Sequence, residues 1–191
     1  MNERDKLTLP DAIDRAFDDS EPTWITLPGS DLDPSSRFRG ALDQFDAGPT
    51  PAGVAASAWL RDRALTQHEI SRTRLYIAGG RISGYYSLCN SSFEISSRKR
   101  RSLLRVETTI RTLPASLVTW LAKDQRAGID GKVLIQHAIA TAREATAAAA
   151  SVALVVDPFD DTTAEIWKNR FGFRESLEDS DRLWMPLAAD R

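Results

Sequence analysis

The stretch Leu121-Ala-Lys-Asp-Gln-Arg-Ala-Gly-Ile-Asp-Gly-Lys132 carries the plainest chemical signal in the chain. An apolar strand ends there, Gly128 and Gly131 let the backbone turn tightly, and a long helix follows. The first N–H groups of a helix have no partner inside it, and with the helix dipole they form an anion site. Arg126 and Lys132 add positive charge, so a pyrophosphate suits the junction. Many such junctions merely turn the chain, and the loop alone does not choose between the two roles. It is not a Walker loop, because no Gly-Lys-Ser/Thr follows four residues after a glycine. Nor is it the G-x-G-x-x-G of a dinucleotide site.

Other reactive side chains are sparse. Tyr85 and Tyr86 are neighbours on a strand and face opposite sides. Either one supplies a phenol, or one is core and the other packs beneath a helix. His68 lies among polar residues and reads as solvated; His137, inside the long helix, reads as surface or satisfied core. Cys89 is the single cysteine, so no internal disulfide forms, and it reads as a small apolar filler. Glu144 and Glu165 read as helix-surface charges. Two histidines and one cysteine argue against a structural zinc site. No catalytic residue emerges from this set.

The elements that hold the loop are legible from periodicity. Pro10–Asp18 reads as a short helix with Ile13 and Phe17 four apart. A Pro/Gly/Ser/Asp-rich passage follows over 20–36, in which Trp24, Ile25 and Leu27 add a strand or an anchor. Residues 53–70 read as a helix with Val54, Ala58, Trp59 and Leu65 on its apolar face. Thr73–Ala78 and Ile82–Cys89 form a hairpin about Gly79-Gly80. Leu117–Ala122 is a strand, Lys132–Ala150 a long helix and Val152–Val156 a buried strand. Asp160–Asn169 is a second helix, with Gly172 placed as its C-cap, and Leu183–Pro186 is the final strand. The order predicts an α/β fold with a mixed sheet and helices on both faces.

At 191 residues the chain fits one globular domain with a sizeable core, and 42% apolar against 27% charged residues is an ordinary mix. There is no secretory signal and no apolar run long enough for a membrane span, so a cytoplasmic protein is expected. Net charge is −2, unevenly spread: residues 1–48 hold eleven Asp/Glu and five Lys/Arg. Residues 1–44 read as an acidic extension and 45–191 as the main domain. A basic stretch, Arg98-Lys99-Arg100-Arg101 with Arg105 and Arg111, is either a solvated loop or a face for a polyanion such as RNA.

Several blocks, in order, resemble the toxin-type GNAT N-acetyltransferases. They are Phe45-Asp46-Ala47-Gly48, Trp59-Leu60-Arg61-Asp62-Arg63-Ala64-Leu65, Gly84-Tyr85-Tyr86-Ser87-Leu88 and Leu121-Ala122-Lys123-Asp124. Ile166-Trp167-Lys168-Asn169-Arg170-Phe171-Gly172-Phe173 and Leu183-Trp184-Met185-Pro186-Leu187 complete the set. The resemblance spans about residues 45–187 and implies a GNAT fold, with a mixed, mostly antiparallel twisted sheet, and an acetyl-CoA-dependent N-acetyltransferase; no metal is expected. It implies that the strand through Leu121 and Lys123 holds the pantetheine arm, and that Gln125, Arg126, Gly128, Gly131 and Lys132 cradle the pyrophosphate. The implied acceptor is the amino group of an aminoacyl-tRNA. The implied protein partners are a ribbon-helix-helix antitoxin and a second copy of the chain.

Two departures stand out. The family loop reads Q/R-x-x-G-x-G/A, whereas here two residues, one of them Asp130, separate Gly128 from Gly131. Trp167 stands where the family has a tyrosine general acid. A phenol of pKa near 10 gives up a proton, whereas an indole N–H only donates a hydrogen bond and so can hold a thioester or steady a thiolate. These departures admit an alternative, a GNAT-fold protein that binds a CoA derivative or a protein partner without efficient catalysis. The lack of an evident base favours an α-amine acceptor of pKa about 8 over a lysine near 10.4.

Overall fold

The computed structural model describes residues 9–27, 34–94, 101, 112–146, 151–175 and 181–187. Apart from Arg101, the basic stretch lies outside the described residues. The elements are α1 Leu9–Asp18, β1 Thr23–Thr26, α2 Ser36–Gln44, α3 Pro51–Asp62, β2 Arg72–Ala78, β3 Arg81–Glu94, β4 Thr112–Lys123, α4 Lys132–Ala145, β5 Ala153–Val156, α5 Asp161–Phe171, β6 Arg174–Glu175 and β7 Leu183–Pro186. The strands form one sheet in the order β1-β2-β3-β4-β5-β7-β6. β1–β2, β5–β7 and β6–β7 pair antiparallel, and β4–β5 pairs parallel. Two compact units result, each discontinuous in sequence: Met1–Ser87 with Trp120–Leu134, and Leu88–Thr119 with Ile135–Arg191.

In the first unit, capping and apolar spacing start the helices. Ser35 caps α2 by accepting from Phe38 N–H, and Thr50 caps α3 by accepting from Gly53 N–H at 3.1 Å, with Pro51 at the first helical position. α2 was not foreseen in the sequence; its signal is the pair Phe38 and Leu42, four apart and buried. α3 ends at Asp62, short of residue 70, where Ala64 N–H closes back on the Trp59 carbonyl. Ile13, Phe17, Phe38 and Leu42 share one buried cluster with Trp59, Leu60, Leu75, Ile77 and Tyr85.

Tyr85 stacks on Trp59 at 5.7 Å and meets Phe45 edge-on at 5.4 Å, and Trp59 stacks in turn on Trp120 at 5.4 Å. The Tyr85 hydroxyl donates to the Ala56 carbonyl at 2.8 Å, so α3 is fixed over that face of the sheet. On the opposite face, a Cβ at Gly84 would lie 2.8 Å from Leu134 Cδ1. The glycine therefore lets the start of α4 seat directly on the strand, and the first unit has helices on both faces.

Gly53 has a similar role toward backbone. A Cβ there would sit 2.6 Å from the Gly48 carbonyl oxygen and 2.7 Å from that of Ala47. Helix propensity alone favours Gly53→Ala by about 1 kcal/mol. Because the obstructing atoms are main chain, we expect the opposite sign, a loss of about 1–3 kcal/mol in chemical denaturation. A neutral or stabilised variant would show that α3 does not press on the 46–48 turn.

In the second unit, β4 pairs with β5 from Ala115↔Ala153 to Val118↔Val156, and β5 pairs antiparallel with β7. Phe93, Leu113, Ala115, Ala153, Val155 and Trp184 form its core cluster. Asp160 caps α5 by accepting from Thr163 N–H at 2.7 Å, and Gly172 ends it at φ +72°, as the sequence predicts. β3 and β4 are longer than expected. Their outer ends alternate buried Phe93, Leu113 and Ala115 with exposed Ser92, Glu94, Thr112 and Pro114, so few consecutive apolar residues mark them. β6 was not foreseen; both of its residues are exposed and charged.

Candidate cofactor-binding loop

β4 continues to Lys123, five residues past the end of its register with β5 at Val118. The chain then turns at Asp124, whose carboxylate is only 1% exposed. It accepts from Arg126 N–H at 2.8 Å, from Arg126 Nε at 3.0 Å and Nη2 at 2.7 Å, and from Asp46 N–H at 3.2 Å. Burial pushes this carboxyl upward, but the Arg126 guanidinium and the two backbone donors outweigh it and hold Asp124 below the usual carboxylate range. The same pair raises Arg126. Arg126 Nη2 also donates to the Gln44 carbonyl.

Asp46 completes the clamp. Its backbone carbonyl accepts from Gln125 N–H at 2.8 Å, and its side chain accepts from Gln125 Nε2 at 2.5 Å and Gly48 N–H at 2.9 Å. Ala47 N–H donates to Ser57 Oγ at 2.9 Å, tying the turn to α3. Gly48 takes φ +101°, a conformation that needs glycine. Two blocks that are far apart in sequence, 45–48 and 121–124, thus form one rigid mount for the loop.

Beyond the mount the loop opens. Gly128 is exposed, and a Cβ there would have nothing within 4 Å; at Gly131 only Lys123 Cδ comes near, at 4.0 Å. Neither takes a left-handed φ. Both glycine positions are therefore open, with no packing partner of the protein's own over them. Lys123 Nζ donates to the Ile129 carbonyl at 3.3 Å. Asp130 accepts from Lys132 N–H on its side chain at 3.0 Å, and its carbonyl accepts from Val133 N–H. The first turn of α4 thus already has an internal carboxylate on one donor.

The expected site residues fall into two groups. Leu121, Lys123, Gln125, Arg126, Gly128, Gly131 and Lys132 lie together in the first unit. Leu121 and Gly131 are half-buried and the others exposed, although the Gln125 and Arg126 side chains turn toward Asp46 and Asp124. Trp167 belongs to the second unit, 5% exposed, with its ring against Phe171 and Phe173. The sequence did not single out Asp46 and Asp124, although both stand in blocks that carry the resemblance.

Tyr85 and Tyr86 are both fully buried, and burial pushes the Tyr85 phenol far above its ordinary range, so Tyr85 is a core residue. His68 follows α3 in a turn, with Nδ1 3.3 Å from the Leu65 carbonyl. Burial pushes the Cys89 thiol up; Arg182 lowers it and Asp157 raises it. Glu165 is held by Lys168 and Asn169 on the surface of α5.

No protein-family model and no curated relative matches the chain in sequence. Solved structures do match. AtaT complexed with acetyl-methionyl-tRNAfMet has a TM-score of 0.68 at 23% identity over 87% of this chain and 95% of that one. A Tyr-to-Phe mutant of KacT gives 0.69 at 22% identity, over 87% and 95%. AtaTR bound with AcCoA gives 0.66 at 23%, over 87% and 94%. The chain therefore has the GNAT fold that its sequence blocks imply. Among the described residues, no helix is long and apolar enough to cross a membrane.

Proposed function

We propose that this chain is an acetyl-CoA-dependent N-acetyltransferase acting on a primary amine, with the amino group of an aminoacyl-tRNA as the acceptor. The observation that carries the proposal is the open space over Gly128 and Gly131 on a loop clamped by Asp46 and Asp124. The residues fit a CoA pyrophosphate there: both glycines admit close approach, and Lys132 is exposed beside them. Bound there, acetyl-CoA supplies the acetyl group as a thioester. Leu121 and Lys123 would hold its arm through their backbone. Arg126 acts as a positioning residue through Asp124 and not as the principal phosphate ligand. Neither Tyr85 nor His68 is disposed to act as a base, which favours an acceptor amine that loses its proton near neutral pH. Structures of AtaT with acetyl-methionyl-tRNAfMet and with the antitoxin AtaR make a tRNA acceptor and an antitoxin partner the first ones to try.

A second reading, binding without efficient transfer, is favoured by the Asp130 carboxylate on Lys132 N–H, which competes with phosphate oxygens. One titration separates the two. A ligand at 100 times its Kd adds about 2.7 kcal/mol, or about 5–10 °C in melting temperature for a chain of this size. We expect acetyl-CoA to raise the melting temperature by this much. We expect Gly131→Ala to lose that rise while its unliganded stability stays level or improves by about 0.4–1 kcal/mol. No rise at millimolar acetyl-CoA would favour a protein partner, and a full rise in Gly131→Ala would move the cofactor off this loop. Faster acetylation of lysine peptides than of aminoacyl-tRNA would exclude the α-amine acceptor.

A further inference from the structure

Arg126 also borders a cleft of about 170 Å³ in the first unit, whose lining includes Phe17, Arg37, Phe45, Arg81 and Ile82. Three arginines therefore line one small space. Two are partly engaged: Arg37 with Asp18 at 2.8 Å, and Arg126 with the buried Asp124. The Arg81 side chain makes no hydrogen bond or ion pair with any described residue. Asp124 is the only carboxylate in the lining, and it already accepts four hydrogen bonds. A guanidinium has five N–H donors, so Arg126, which uses Nε and Nη2, keeps others for a ligand. Arg81 is thus the arginine of the lining whose charge no described carboxylate pairs, beside the apolar side chains of Phe17, Phe45 and Ile82.

Charge selects the ligand: the cleft has room for several waters, and so for a tetrahedral oxyanion. Guanidiniums match phosphate oxygens in charge and geometry. We propose that the Arg37–Arg81–Arg126 cleft is a phosphate subsite separate from the Gly128–Gly131 loop. It would take either free phosphate or a terminal phosphate whose parent molecule extends through the mouth.

The test uses the full chain without acetyl-CoA. Inorganic phosphate is titrated by calorimetry at constant ionic strength, against chloride. We expect saturable binding that weakens about ten-fold or more in Arg81→Ala, the loss of one charge-assisted contact. Ala41→Glu, which sets a carboxylate into the same lining, should abolish it, with melting curves confirming that both variants fold. Acetyl-CoA should still raise the melting temperature of Arg81→Ala as in the native chain, whatever the glycine loop's own affinity proves to be. A 5′-phosphorylated oligonucleotide that competes where its unphosphorylated twin does not would identify a terminal phosphate, and competition by neither would identify the free ion. Phosphate binding no better than chloride, or undiminished in a folded Arg81→Ala, would overturn the proposal.

Discussion

Asp124→Ala is expected to cost about 2–3 kcal/mol and to lower the melting temperature by roughly 5–10 °C. Breaking a fully buried ion pair costs more, about 3–5 kcal/mol. Here the partner Arg126 is half-exposed and can rehydrate, which reduces the loss. The Asp46 N–H and the Arg126 N–H would still lose their acceptor. Asp124→Asn keeps one acceptor oxygen and should lose about half as much. Because the folded carboxyl titrates below its ordinary value of about 3.9, its contribution is complete above that pH. It fades as the pH falls through the lower folded value. Urea denaturation should therefore give a constant gap between native protein and Asp124→Ala from pH 8 to 5, closing toward pH 2. A gap that persists unchanged into acid would mean that shape, and not charge, holds the turn. The loop should also loosen, so the variant should lose most of the acetyl-CoA thermal shift even well below its melting point.

Because the family resemblance sets Trp167 in the place of the general acid, Trp167→Tyr is expected to raise acetyl transfer by about ten-fold to a hundred-fold if the proposed activity holds. General acid catalysis typically supplies 10²–10⁴-fold, and part of that is lost to imperfect placement. The change also removes ring volume against Phe171 and Phe173, at a cost of about 1–2 kcal/mol. Trp167→Phe makes the same vacancy without a proton to give, so it should match the stability loss and show no gain. The signature is a new alkaline limb in the pH profile of kcat, absent from the native protein and the Phe variant and shifted above the free phenol value of about 10 by burial. Equal rates for native protein, Tyr and Phe variants would remove Trp167 from the proton's path.

Local signals made much of the fold legible. The Gly79-Gly80 turn, the Gly172 cap and the β-branched run of β5 each depend on a few neighbouring residues. α2 and β6 were not legible, because a nine-residue helix with two buried side chains and a two-residue strand leave too little periodic pattern. Acidic composition sets residues 1–44 apart, but composition reports on surface, and Ile13, Phe17, Phe38 and Leu42 are buried with Leu60 and Tyr85. At the candidate site, the glycines and the strand-to-helix turn could be read directly. The mutual grip of Asp46, Asp124, Gln125 and Arg126 could not. Each is an ordinary polar residue whose role appears only when chain segments nearly eighty positions apart are brought to hydrogen-bonding distance.

The interleaving of the two units bears on how the chain is made. The first unit needs Trp120–Leu134, which leave the ribosome roughly 45 residues after Ser87. At about 5–20 residues per second, that delay is about 2–9 s. β4 is complete only at Lys123, 29 residues after β3 ends at Glu94, and until then β3 has β2 beside it while the other edge of a largely buried strand stays open. The nascent chain, and not the finished protein, is thus the stage at which aggregation or chaperone capture competes most strongly with folding.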